Sequence, residues 1–249
     1  MARAALVTVW VLLLGVIGVG SAAAETVLFD NGHGERFTIS NPGPLQLTGL
    51  ADIVRETGAK IAPLNQPISD ASLAGVDGLV ISGAFKPLQA DEIEALLRFM
   101  DRGGKVAVML HIAPPLTSLL DRLGVEYTNG VIRETENVIG NNPLDFRSTR
   151  IGSHPVMKGV TEFSLYGVWG IRNADAGSRV VAATSPKAWI DLQGDNKQKA
   201  ENTASFGVAV AGEVGKGGFL IFGDDAIFQN KFLDQSNKKL AANLAAWLK

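Results

Sequence analysis

The sequence predicts an α/β fold built on a mainly parallel sheet, with an antiparallel β-hairpin near the C-terminus. Three observations carry this. The apolar runs "TVLFD", "VDGLVISG" and "KVAVMLH" are continuous rather than alternating, as strands covered on both faces are. Between them lie segments whose apolar residues recur at helical spacing. Late in the chain, "ASFGVAVAGEVGKGGFLIFGDD" joins two apolar runs through a Gly-rich turn.

Thr26 to Asp30 reads as the first strand and ends in an acid. A polar loop runs to "NPGP" at Asn41 to Pro44, after which Leu45, Leu47, Leu50, Ile53 and Val54 mark a helix that Gly58 stops. "AKIAPL" is a second strand and Val76 to Gly83 a buried third. Ala90 to Gly104 is an amphipathic helix with acids in its first turn and two glycines at its end. Lys105 to His111 is a further buried strand, and Pro114 to Gly124 a helix opened by proline. The stretch from Val125 to Gly159 is polar and rich in Asn, Gly and Pro, and reads as an excursion at the sheet's edge. "SLYGVWGI", "SRVVAATS" and "AWIDL" are short strand-like pieces, and Asp191 to Asn202 is a solvated loop. "GEVGKGG" lies between two strands and lacks the spacing of a phosphate loop, so it is a hairpin turn. The closing helix carries Leu240, Leu244, Trp247 and Leu248 on one face, with Ser236 as its expected N-cap.

A chain of 249 residues suits one large α/β domain, and 46% hydrophobic against 19% charged residues calls for a sizeable core. A net charge of −2 gives no electrostatic footprint for nucleic acid. The absence of cysteine excludes disulfides, thiolate metal sites and cysteine nucleophiles. Residues 1–24 read as a signal peptide: Arg3, the apolar stretch Leu6 to Gly20, then the small-residue site "SAAAE". An uncleaved membrane anchor is the alternative. Either way residues 25–249 form one domain outside the cytoplasm, periplasmic or extracellular.

In open parallel sheets ligands bind beyond the carboxyl ends of the strands. Several polar groups are expected there. Asp30, His33, Glu35 and Arg36 belong to "FDNGHGERF"; "SGAFKP" and His111 follow two central runs; Asp224, Asp225 and Asn230 follow "GGFLIFG". Imidazoles and carboxylates are ligands for Zn, Mn or Fe, are general acid–base groups, and hydrogen-bond polyols well. The sequence leaves metal and cofactor open. Set against this, Asp30 and Asp224 would cap loops, Glu35 would pair with Arg36, and His111 would be an ordinary near-core residue. In "VIRETEN" Arg133 is either a clamp for an acidic ligand or, with Glu134 and Glu136, part of a surface ion-pair network holding the excursion. Tyr166, Trp169 and Trp189 offer faces for a sugar, or simply core.

The order "FDNGHGERF", "VDGLVISGAFKPLQADEIEALLRFMDRGGKVAVMLHIAPP", "NGVIRE" and "GKGGFLIFGDDAIFQNKFL" resembles the class I glutamine-amidotransferase-like domains of two groups. One is attached to gliding-motility-type ABC transporters, with uncharacterised bacterial relatives; the other is the N-terminal domain of an intraflagellar transport protein. The resemblance covers nearly all of Thr26 to Lys249 and implies a flavodoxin-like sandwich. Enzymatic relatives carry a nucleophilic cysteine after the strand matching "KVAVML"; here that turn is "HIAPP", so thioester-forming glutamine hydrolysis is excluded. The resemblance implies a non-catalytic domain. The expectation is therefore an exported binding or scaffolding domain that holds a small polar ligand, a saccharide among the candidates, or a protein partner at the strand ends, in the service of an ABC-type transport system or other envelope proteins. The alternative is a metal- or acid–base-dependent hydrolase using the Asp/His/Glu cluster.

Overall fold

The computed structural model describes residues 24–249. The leader reading falls, but for its last residue, outside them. The elements run β1 (Thr26–Asp30), α1 (Thr48–Glu56), β2 (Lys60–Leu64), β3 (Gly78–Ser82), α2 (Ala90–Asp101), β4 (Lys105–Met109) and α3 (Thr117–Arg122). Then come β5 (Val125–Arg133), β6 (Val138–Ile139), β7 (Asn142–Ser148), β8 (Arg150–Ile151), β9 (Phe163–Tyr166), β10 (Trp169–Asn173), β11 (Ser178–Ala183) and β12 (Trp189–Ile190). β13 (Gly207–Val214), β14 (Gly217–Phe222) and α4 (Gln235–Trp247) close the chain. Among the described residues no helix is long and apolar enough to cross a membrane.

Eight strands form the main sheet in the order β2-β1-β3-β4-β14-β13-β11-β8. From β2 to β14 every pairing is parallel, with Phe29 opposite Val80, Ile81 opposite Val108, and Val108 opposite Ile221. β13 returns antiparallel on β14 as the expected hairpin, turning at Gly215, whose φ of +56° suits glycine. β11 and β8 extend the antiparallel edge.

The continuous apolar runs are explained by two cores, one on each face. Val27, Phe29, Val80 and Met109 pack with Leu50 and Val54 of α1 and Leu240 and Leu244 of α4. Their neighbours in sequence, Leu28, Leu79, Ile81 and Val108, pack with Leu96 of α2 and Leu119 and Leu120 of α3. Alternate residues of one strand thus enter opposite cores, so no residue in these strands can be polar until the strand ends. The chain leaves β1 for β2 over one face and leaves β3 for β4 over the other. The gap between β1 and β3 is therefore the topological switch point of the sheet.

The polar excursion is built largely of strands: β5 pairs with β10 and β12, and β6, β7 and β9 form a second small sheet. Its strands are only partly buried, so they lack the apolar runs that reveal the central ones. The N-cap of α4 is Asp234, not Ser236: Asp234 Oδ1 accepts from the N–H of Asn237 at 2.9 Å, and the Ser236 hydroxyl donates to the same oxygen at 2.7 Å.

Candidate functional site

The parallel strands deliver their polar ends to one rim, where two clusters lie side by side. The first belongs to β1, its following loop and α2. Asp30 ends β1 with its side chain buried, and its Oδ1 accepts from the N–H of Gly32 at 3.2 Å. The His33 ring lies between two carboxyl groups, with Nδ1 2.6 Å from Asp30 Oδ2 and Nε2 3.1 Å from Glu92 Oε2. Burial alone would lower the imidazole pKa, but the bonds and charges of Asp30 and Glu92 outweigh it and raise it to about 9. His33 is therefore an imidazolium at neutral pH, donating at both nitrogens.

Glu92 sits in the first turn of α2. Its carboxylate also accepts from the N–H of Gln89 at 2.8 Å and of Ile68 at 3.0 Å. Glu35 does not pair with Arg36. Its Oε2 accepts from the N–H of His33 at 2.9 Å, while Oε1 is buried with no partner. Burial, followed by the neighbouring Asp30, raises the Glu35 pKa to about 8, so this acid keeps its proton at neutral pH.

Donor atoms of Asp30, His33 and Glu35 lie within 4.8 Å of one another, which is the spacing of a metal cluster. The donor chemistry argues otherwise. Both His33 nitrogens are committed to carboxylates, and a metal would have to displace a proton held with a pKa of about 9. The arrangement is better described as a carboxylate–imidazolium–carboxylate brace. It fixes the loop after β1, whose His33 carbonyl accepts from the N–H groups of Phe85 and Lys86 at 3.0 and 2.8 Å.

The second cluster comes from β3, β4 and β14, three adjacent strands. His111 follows β4 with its side chain 39% exposed, and its Nδ1 lies 3.2 Å from Oδ1 of the buried Asp225 beyond β14. Chiefly through that bond, Asp225 raises the His111 pKa. The other Asp225 oxygen, Oδ2, is buried without a partner, as is the Ser82 hydroxyl at the end of β3. Gly83 follows Ser82 in the chain. It has a φ of +67°, and a Cβ there would stand 2.7 Å from Asp225 Oδ2, so glycine is what lets this carboxylate approach. Phe37 and Phe85 flank the His111 ring at centroid distances of 5.6 and 5.0 Å. Arg36 lies over Phe85 at 5.2 Å.

A cavity of about 10 Å³, lined in part by Asp30, Phe37 and Ser82, has room for about one water. Beside it, an open groove of about 500 Å³ is bordered by Gly32, His33, Asn65, Gln66, Lys86 and Gln89.

The remaining sequence candidates are engaged in holding the fold. Asp224 is buried, and its oxygens accept from the N–H groups of Tyr166 and Ala226 at 2.6 and 2.8 Å. Burial raises its pKa well above the usual range. Asn230 joins the β14 loop to α1, accepting from Gly49 N–H at 2.7 Å and donating to the Gly43 carbonyl and the Thr48 hydroxyl. Glu134 is buried and accepts from Ser185 N–H at 2.9 Å and Ser185 Oγ at 2.8 Å, among others. Arg133 lies on the Trp189 ring and 3.8 Å from Asp191. Trp169 packs on Tyr127, and Tyr166 stacks on Phe232, so Tyr166, Trp169 and Trp189 each have a separate partner. Sequence reading passed over Glu92, whose signal was its place three residues after Gln89 at a helix start. Phe85 lies in "SGAFKP", the stretch placed at the rim from sequence, but was not singled out within it.

In fold the chain is similar to ThuA-like, glutamine-amidotransferase-like α/β proteins. The mmIFT52 N-terminal domain superposes with a TM-score of 0.70 at 18% identity, covering 90% of this chain and 97% of that one. A putative ThuA-like protein from Bacteroides uniformis gives 0.55 at 13%, covering 93% and 94%. A putative GMP synthase protein from Thermoplasma acidophilum gives 0.54 at 12%, covering 92% and 96%. At these identities the likeness is one of fold. No curated protein matches the chain. Residues 39–245 match the model of the domain of unknown function DUF4350, and the chain belongs to that family.

Proposed function

We propose that this protein is a non-catalytic binding domain for a small polar ligand at the rim formed by the ends of β3, β4 and β14. One observation carries the reading. Buried polar atoms left without partners are uncommon in folded proteins and costly. Here two of them, Ser82 Oγ and Asp225 Oδ2, flank Gly83 beside a half-exposed imidazole. A ligand donating to Asp225 or pairing with Ser82 would relieve that cost. Ligand at a hundredfold excess over its Kd would stabilise the fold by about 2.7 kcal/mol. Thermal unfolding against separate pools of sugars, organic acids, nucleotides and amino acids tests this. At least one pool should raise Tm in the wild type and not in Ser82→Ala. No shift from any pool would end the reading.

The leader-like residues 1–24 support placing this binding outside the cytoplasm, and the resemblance to transporter-attached domains supports an accessory role beside an ABC-type transport system. A second reading, hydrolysis, is favoured by the His111–Asp225 pair, because a buried carboxylate orienting a half-exposed imidazole is a common acid–base arrangement. Turnover of ester or glycoside probes that His111→Gln abolishes would favour it over plain binding.

A further inference from the structure

We infer that the open groove at the carboxyl ends of β1, β2 and β3 is a second ligand site, shaped for an uncharged polyol such as a saccharide. The site is separate from the rim of β3, β4 and β14 and does not depend on a ligand there.

Position comes first. Gly32 and His33 follow β1, Asn65 and Gln66 follow β2, Lys86 and Gln89 follow β3, and all border one space of about 500 Å³. That volume lies in the range of small-molecule sites. The groove opens at the switch point between β1 and β3, where open α/β sheets hold their ligands. A groove of similar size, about 510 Å³, borders Asp77 and Gly104 instead, at the amino ends of β3 and β4.

The walls are tied to one another. Asn31 joins the β1 loop to the end of β2: its N–H donates to the Leu64 carbonyl at 2.9 Å and its carboxamide donates to Asn65 Oδ1 at 2.6 Å. The His33 carbonyl joins the same loop to the end of β3 by accepting from Lys86 N–H. Glu92 closes the circuit, bonded to His33 Nε2 and to the N–H of Ile68. Burying three charged groups is costly, and apolar side chains would serve stability as well or better. What the brace adds is a fixed shape, and a preformed groove spares a ligand the cost of ordering loops.

The chemistry of the walls selects the ligand. The N-terminus of α2 is answered from within, because Glu92 Oε2 accepts from Gln89 N–H at 2.8 Å and Asp91 Oδ1 from Glu92 N–H at 3.1 Å. The charges bordering the groove cancel, Lys86 and the His33 imidazolium against Asp91 and Glu92. Neither an anion nor a cation is favoured. Lys86 and Asp91 are exposed, where pairing with the two ends of a zwitterion is worth little. The carboxamides of Asn65, Gln66 and Gln89 both donate and accept, as hydroxyl groups do. Pro67 and Pro87 add apolar surface, which suits the C–H face of a sugar ring.

Titration of the protein with cellobiose, maltose and lactose, followed by amide NMR, tests this. Inorganic phosphate and glycine at matched ionic strength serve as charged probes. At least one disaccharide should shift the amides of Asn65, Gln66, Lys86 and Gln89, and the charged probes should leave them in place. Gln66→Ala combined with Lys86→Ala, both at exposed positions, should weaken that disaccharide roughly tenfold. Shifts confined to Gly83 and His111 would put the sugar at the other rim, overturning this inference and leaving the binding reading intact. No shift with any of the disaccharides, shifts with phosphate or glycine instead, or a double variant that binds unchanged would overturn it as well, and the pooled screen would still decide the other rim on its own.

Discussion

His111 shows what position alone does to a side chain. Two residues past β4 it has left both cores but is still held by the strand's geometry, and the neighbouring strand brings Asp225 to its Nδ1. The carboxylate favours the charged ring and raises its pKa. Replacing Asp225 by Asn should therefore lower the His111 pKa, back toward or below the ordinary value near 6.5. Titration of the imidazole resonances by NMR measures this directly. An unchanged titration would mean that the 3.2 Å contact carries no electrostatic weight in solution. His33 differs in kind: with carboxylates on both nitrogens it has nothing left to offer a ligand. The loop after β1 thus divides its labour, with His33 anchoring it and Arg36 and Phe37 facing the second cluster.

The element on which that anchoring depends is the first turn of α2. Glu92 ties three things at once: the start of its own helix through Gln89, the segment after β2 through Ile68, and the β1 loop through His33. Glu92→Ala would strand a buried imidazolium and two backbone donors, which should cost about 3–5 kcal/mol. Urea unfolding would show it, and a loss under about 1 kcal/mol would mean that the brace is ornamental. Glu92 also shows where sequence reading stops. Asp30, His111 and Asp225 were legible because each ends a continuous apolar run, and parallel strands put such ends on one edge. Glu92 was legible only as a helix-start acid, since its bond to His33 spans 59 residues and leaves no local pattern. The hairpin, α1, α2 and α4 were readable from period and glycine placement. The strands of the excursion were not, because β5 and β7 alternate partial burial with exposure and hold Asn, Gly and Pro among their residues. Glu134, read as one member of a surface ion-pair network, is instead 2% exposed within that excursion.

At the scale of the whole molecule, these buried titrations set the pH at which the fold is strongest. His33 has a folded pKa of about 9 against an unfolded value near 6.5. The folded state therefore holds a proton that the unfolded chain has lost, and stability falls as pH rises from about 6.5 through 9. Glu35, raised to about 8 from 4.5, acts in the same direction across 4.5 to 8. His154 acts oppositely. Burial against Trp247, then the charges of Arg179 and Lys105, lower its pKa to about 4, so stability falls as pH drops from 6.5 toward 4. Urea unfolding followed across pH should thus show a maximum on the acid side of neutrality and a decline between pH 6.5 and 9. The share of that decline due to His33 is about 3 kcal/mol. His33→Gln should lose stability at pH 6 but flatten the alkaline slope, whereas His154→Gln should flatten only the acid limb. If the wild-type curve is level from pH 6.5 to 9, the imidazolium brace is not formed, and the loop carrying Arg36 and Phe37 must be held in some other way.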